Sequence, residues 1–138
     1  MDDRRAPDLE EMDEREATRL LTELASDLSP EGEHQIRHPE DYVMQMPQSG
    51  ERFRGRDNVR AFQEAYTDHS DPPSIRIRRV LVEDGLWVVE SVIDYGGGQV
   101  VHGVAILELK DGKVWRDTRY FAEPFEAPEW RARWVERM

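Results

Sequence analysis

The feature that most constrains this chain is a series of four β-rich runs between residues 75 and 121, separated by glycine turns. The runs cover 75–83, 86–95, 100–109 and 113–121 and hold most of the Val, Ile and Leu. The breaks are Asp84-Gly85, Gly96-Gly97-Gly98 and Asp111-Gly112. Asp-Gly between apolar runs is a strong hairpin signal, because the tightest turns need residues that tolerate positive φ. Three hairpins in succession make an antiparallel meander. In the second run, Leu86, Val88 and Val92 point one way, and Trp87, Val89, Ile93 and Tyr95 point the other. A solvated face would alternate with polar residues. One face is therefore expected to meet helices and the outer face a second copy of the chain.

The helices come first in the chain. Ala17, Leu20, Leu21, Leu24 and Leu28 recur at helical spacing, predicting a helix from Glu14 that ends near Ser29-Pro30. Residues 31–41 read as a connection, 42–46 as a short strand stopped by Pro47, and 48–57 as turns. A second helix is expected with Asp57 or Asn58 as its cap, burying Val59, Phe62 and Tyr66. The prolines at 72 and 73 end it. Residues 1–13 read as a flexible acidic tail and 14–138 as a single domain. Near the end, Pro128 suits a first helical turn, with Trp130 and Trp134 on one face. Helices followed by a meander give an α+β fold with helices packed on one face of an antiparallel sheet.

The charge balance narrows the function. With 30 acidic against 19 basic residues, the chain carries a net charge of −11. Such a field repels phosphate backbones, so no nucleic-acid partner is expected. The absence of cysteine removes thiolate metal sites, disulfides and a cysteine nucleophile. His34, His38 and His69 show no metal-ligand spacing, and no metal is expected. No apolar run approaches the roughly 18 residues of a membrane span, and no secretion signal is recognisable, so the expected setting is cytoplasmic.

From Glu14 to Phe121 the chain resembles the SnoaL-like branch of the nuclear transport factor 2-like superfamily. The landmarks are the first helix, the segment GRDNVRAFQEAY, the strand LWVVESVIDYGGG and the final pair VAILELKDGKVWRDTRYF. The resemblance implies a cone-shaped, curved sheet of cystatin-like type around a pocket, often in a homodimer. Its members include ketosteroid isomerases, polyketide cyclases, dehydratases, epoxide hydrolases and non-catalytic binding modules, so the fold alone names no reaction. The position matching the ketosteroid isomerase base is Met46, and the oxyanion-stabilising acid falls near Ala105. The polyketide cyclase acid matches Ala122, with Glu123 one place later. Of the histidine-rich segment of scytalone dehydratase-like members, only His102 lies nearby.

Strand alternation supplies the remaining candidates. Trp115, Asp117, Arg119 and Phe121 share a face, and Glu90 and Asp94 share the face of Val88 and Val92. If those faces are concave, Tyr42, Met44 and Met46 join them. The resulting site would have Asp117, Glu90 and Asp94 as catalytic carboxylates. Tyr42, Met44, Met46, Phe62, Trp115, Arg119 and Phe121 would bind the ligand. Two readings stay open. One is a cofactor-free isomerase, cyclase or dehydratase acting on a largely apolar small molecule, with Tyr42 or Arg119 stabilising an oxyanion. The other is a non-catalytic ligand-binding or dimeric assembly module, in which Arg119 simply pairs with Glu90 or Asp117.

Overall fold

The computed structural model describes residues 7–27, 30–69 and 71–138. One six-stranded sheet forms the centre: β1 Val43–Met46, β2 Glu51–Arg54, β3 Ser74–Glu83, β4 Leu86–Gly96, β5 Gln99–Lys110 and β6 Lys113–Ala122. The order is β2-β1-β6-β5-β4-β3, and every pairing is antiparallel except β1 with β6. The expected meander is β3 to β6. The sheet is mixed rather than purely antiparallel because β1 joins beside β6 in parallel. At the last hairpin Asp111 and Gly112 both take positive φ, 54° and 74°, as the turn demands.

Three helices cover one face: α1 Glu14–Asp27, α2 Pro30–Ile36 and α3 Arg56–His69. At the start of α1, the Glu16 backbone N–H donates to Asp13 Oδ1 at 2.8 Å. The Asp13 N–H donates back to Glu16 Oε1 at 3.2 Å, a reciprocal cap. Leu28, expected on this helix, lies outside the described residues. The short helix α2 replaces the connection expected at 31–41, and β2 replaces part of the turn region. Helix α3 begins at Arg56, so Asp57 sits in its first turn, where a carboxylate favours the helix dipole. Val59 is fully buried as expected, whereas Phe62 is exposed and Tyr66 half-buried.

Both chain ends depart from expectation. Residues 7–13 do not form part of a loose tail. Leu9 is fully buried, its N–H donates to Gly112 O at 2.9 Å, and Glu10 Oε2 accepts from the Gly112 N–H at 2.7 Å. A single leucine among charges gives no periodic signal, yet it plugs the end of the β5–β6 hairpin. After β6, the expected helix is a short 3-10 helix, Glu129–Trp134, with no buried residue.

The register fixes the faces. Trp87, Val89, Ser91 and Ile93 of β4 face the helices, and the core gathers there with Ala17, Tyr42, Val80, Leu107 and Val114. Glu90 and Asp94 therefore lie on the outer, convex face, not in the concavity. Asp94 is exposed and accepts from the Gly96 N–H at 2.8 Å. A bulge at Glu108/Leu109 shifts the phase of β6 between Val114 and Asp117. Val114 points inward, and Trp115 does not; its ring lies under Lys110 Nζ at 5.5 Å and Arg116 Cζ at 4.9 Å.

Candidate functional site

Two adjoining cavities occupy the concave side. One, of about 150 Å³, lies between α1, α2 and the sheet; the other, of about 260 Å³, lies beneath α3. They share Glu33, Ile75, Ile93, Arg119 and Phe121 as lining. The space exists because the inner face is built from small residues at its middle: Ser91, Gly103 and Ala105. A Cβ at Gly103 would stand 2.8 Å from Ser91 Oγ, so any larger side chain there intrudes on the hollow. The cavity under α3 has a Met44, Met46, Phe53, Phe62 and Tyr66 wall, with Phe53 and Phe62 rings 4.8 Å apart and Phe62 and Tyr66 6.3 Å apart. A wide recess at the end of the sheet shares Tyr66, Tyr95 and Phe121 with it.

The polar chemistry is a set of linked side chains at the cavity floor. Arg119 Nε donates to Asp117 Oδ1 and Arg119 Nη2 to Asp117 Oδ2, both at 3.0 Å. Tyr42 OH donates to the same Oδ2 at 2.7 Å. Asp117 is buried and spends both oxygens on these three bonds. Arg119 Nη1 has no partner among the described residues. Burial, followed by the Asp117 charge, pushes the Tyr42 hydroxyl far above the ordinary tyrosine range, so it remains a donor. Burial works against the Arg119 charge, but the Asp117 carboxylate outweighs it and raises the guanidinium further.

A second fork lies alongside. Arg37, buried, donates from Nη2 to Glu33 Oε2 at 2.9 Å and from Nη1 to Gln63 Oε1 at 3.1 Å. Gln63 Nε2 donates to the same Glu33 oxygen at 2.9 Å, and Arg37 Cζ sits 5.3 Å from the Tyr42 ring centre. Glu33 Oε1 has no partner among the described residues, and Glu33 lines both cavities.

Of the residues singled out from sequence, Met44, Met46, Phe62, Arg119 and Phe121 line the cavity under α3, with Tyr42 and Asp117 bound to its floor. Glu90, Asp94 and Trp115 are elsewhere, for the reasons of face and bulge given above. Ala105 is opposite Arg119 in the register, Glu123 lines the outer recess, and His102 is exposed on the convex side. Glu33, Arg37 and Gln63 were missed. The signal for two of them was there: Pro30 suits a helix start, and Glu33 with Arg37 has the i,i+4 spacing of a helical ion pair. Among the described residues no group of three or more His, Asp or Glu is arranged to hold a metal, and no helix is long and apolar enough to cross a membrane.

Residues 37–117 match the SnoaL-like domain family. An NTF2-like protein of unknown function from Burkholderia xenovorans is 36% identical, with a TM-score of 0.77 over 90% of this chain and 94% of that one. A putative ketosteroid isomerase from Kribbella flavida is 28% identical, with a TM-score of 0.76 over 88% of this chain and 87% of that one. A hypothetical protein with a ketosteroid isomerase-like fold from Catenulispora acidiphila, solved in complex with trimethylamine, is 14% identical, with a TM-score of 0.64 over 80% and 88%. That likeness is one of fold alone. No functionally curated protein matches the chain. With this match covering more than half its length, and with a relative so similar over nine-tenths of it, the chain belongs to the SnoaL-like family and has the nuclear transport factor 2-like fold.

Proposed function

We propose that the chain binds a small, largely apolar organic molecule in the cavity under α3, with Arg119 as its polar anchor, and that two copies associate through the convex sheet face. The observation that carries the binding reading is the engagement of Asp117. With Arg119 on both oxygens and Tyr42 on one, Asp117 is a positioning residue that aims the guanidinium, not a free base. The free Nη1 of Arg119 then offers donors to a ligand oxygen against an aromatic and methionine wall. An aryl ketone has that shape, and α-methylstyrene is the same shape without the oxygen. Acetophenone is expected to bind about tenfold or more tighter than α-methylstyrene, as a hydrogen bond to a charged donor allows. In Arg119→Met the preference should vanish while α-methylstyrene binding persists. Equal binding of both probes by the unaltered protein would remove Arg119 from the account.

A second reading adds turnover, favoured by the open oxygen of Glu33. Glu33 Oε1 takes a proton from the carbon next to a ligand carbonyl; the C–H electron pair forms a C=C bond to the carbonyl carbon while the C=O π pair moves onto oxygen, where Arg119 receives the oxyanion. Return of the proton to the same carbon gives hydrogen exchange; its delivery to a different carbon of an unsaturated ligand completes an isomerisation without a cofactor. In heavy water, the methyl hydrogens of acetophenone should exchange for deuterium faster with the protein present, and Glu33→Gln should abolish the acceleration while leaving acetophenone affinity within about twofold. Exchange no faster than in buffer leaves binding alone as the function.

A further inference from the structure

The segment after β6 exposes apolar side chains to a degree seen nowhere else among the described residues. Phe125, Trp130 and Trp134 keep 79%, 74% and 66% of their surface in water, and Val135 and Met138 are exposed as well. Among the described residues no hydrogen bond or ion pair ties residues 124–138 to the sheet. Arg133 lies over the Trp134 ring at 4.1 Å, a contact internal to the segment. The convex sheet face is the other unpartnered apolar surface. Leu81, Val104 and Tyr120 are exposed on it, with Val88, Val92 and Ile106 half-buried around them. Tyr120 stands two residues before the end of β6, where the segment departs.

We infer that residues 123–138 are an exchange arm: the arm of one copy lies across the convex sheet face of a second copy, against the partner's Val104 and Tyr120, and the partner's arm returns the contact. This rests on the reading that two copies associate through that face. Three observations point to a second copy as the occupant. First, every chain carries both the arm and the face that receives it, so a two-fold exchange covers both at once and closes. Second, the arm is rooted beside the face, and its reach needs no long linker. Third, the area is adequate. The three rings alone offer roughly 450 Å² per arm. Counted over both arms and both faces, that gives about 1,800 Å², within the roughly 1,200–2,000 Å² of stable specific interfaces. The net charge of −11 opposes self-association, so apolar burial rather than ion pairing must hold the copies together. Added salt should therefore strengthen the dimer.

Sedimentation velocity on the full chain tests the arm against the simpler face-to-face dimer. The unaltered protein is expected to be a dimer at micromolar concentration. The double variant Trp130→Ser, Trp134→Ser should dissociate at least tenfold more readily with an unchanged circular dichroism spectrum, because neither ring belongs to the core. A double variant that dimerises as tightly as the unaltered chain overturns the arm. If Tyr120→Glu is then monomeric, the convex-face dimer survives without it; an unaltered chain that is itself monomeric at micromolar concentration removes both. Acrylamide quenching gives an independent readout. Dilution through the dissociation range should raise the quenching of tryptophan fluorescence as Trp130 and Trp134 are released; no rise across that range contradicts arm docking.

Discussion

Strand β6 carries two arginine–carboxylate forks on opposite faces of one sheet, and the contrast between them separates a structural decoration from a candidate site. On the convex face Arg116 donates from Nε and Nη2 to Glu108 at 2.5 and 2.9 Å. On the concave face Arg119 makes the same bidentate contact to Asp117 at 3.0 Å twice. The difference lies in the surroundings. The Arg116 and Glu108 side chains are 41% and 31% exposed; Arg119 is 31% exposed, but Asp117 only 3%. In the single chain both members of the outer pair are partly exposed. The inner carboxylate is sealed and further held by Tyr42, and the guanidinium lines both cavities. Ideal fork geometry is common to both, so geometry alone does not mark a site; a buried carboxylate behind an arginine that faces a hollow does.

Removing each carboxylate should separate the two pairs. Asp117→Ala leaves the Arg119 charge and the Tyr42 hydroxyl without their partner, and the expected loss in urea denaturation is about 3 kcal/mol. That is the low end of the roughly 3–5 kcal/mol for breaking a buried pair, since the cavity can still admit water to Arg119. Adding Arg119→Met to Asp117→Ala should recover part of that loss by removing the stranded charge. A double variant less stable than the single would mean the two residues do not act as a pair.

Glu108→Gln should cost no more than about 1 kcal/mol, as exposed pairs do. Its pH dependence sharpens the contrast. The Arg116 hydrogen bond holds the Glu108 carboxyl below its usual value, against the opposing effect of burial. A depressed folded-state pKa contributes stability above the unfolded glutamate value and loses it as pH falls through the folded one. The small deficit of Glu108→Gln in thermal melts should therefore shrink toward zero in acid. A deficit that persists at low pH would mean the side chain acts by packing instead.

What could be read from the sequence followed the strength of local signals. The β3–β6 meander was legible because glycine turns bound long apolar runs, and Asp117 and Arg119 were legible as same-face neighbours on one strand, with Tyr42 just before β1. The faces were not. In β4 both sides are apolar, so periodicity cannot say whether Trp87 and Val89 or Val88 and Glu90 meet the helices; that depends on how α1 packs against β3. The displacement of Trp115 depends on a bulge between Val114 and Arg116, where the run Val-Trp-Arg shows no glycine or other turn residue to mark it. Helix α2 contains a glycine and only one buried side chain, Ile36, too little for an amphipathic pattern. Glu33 and its open oxygen were hidden with it.

The most direct test of the central claim is a crystal structure of the protein with acetophenone bound. The account predicts the probe under α3, its ring against Phe53 and Phe62, and its carbonyl oxygen at hydrogen-bond distance from Arg119 Nη1 or Nη2. The Arg119–Asp117 fork and the Tyr42 hydrogen bond should remain intact. A probe seated there with its oxygen turned away from Arg119, or an Arg119 that has released Asp117, would contradict the assignment of Asp117 as the group that positions Arg119 for the ligand.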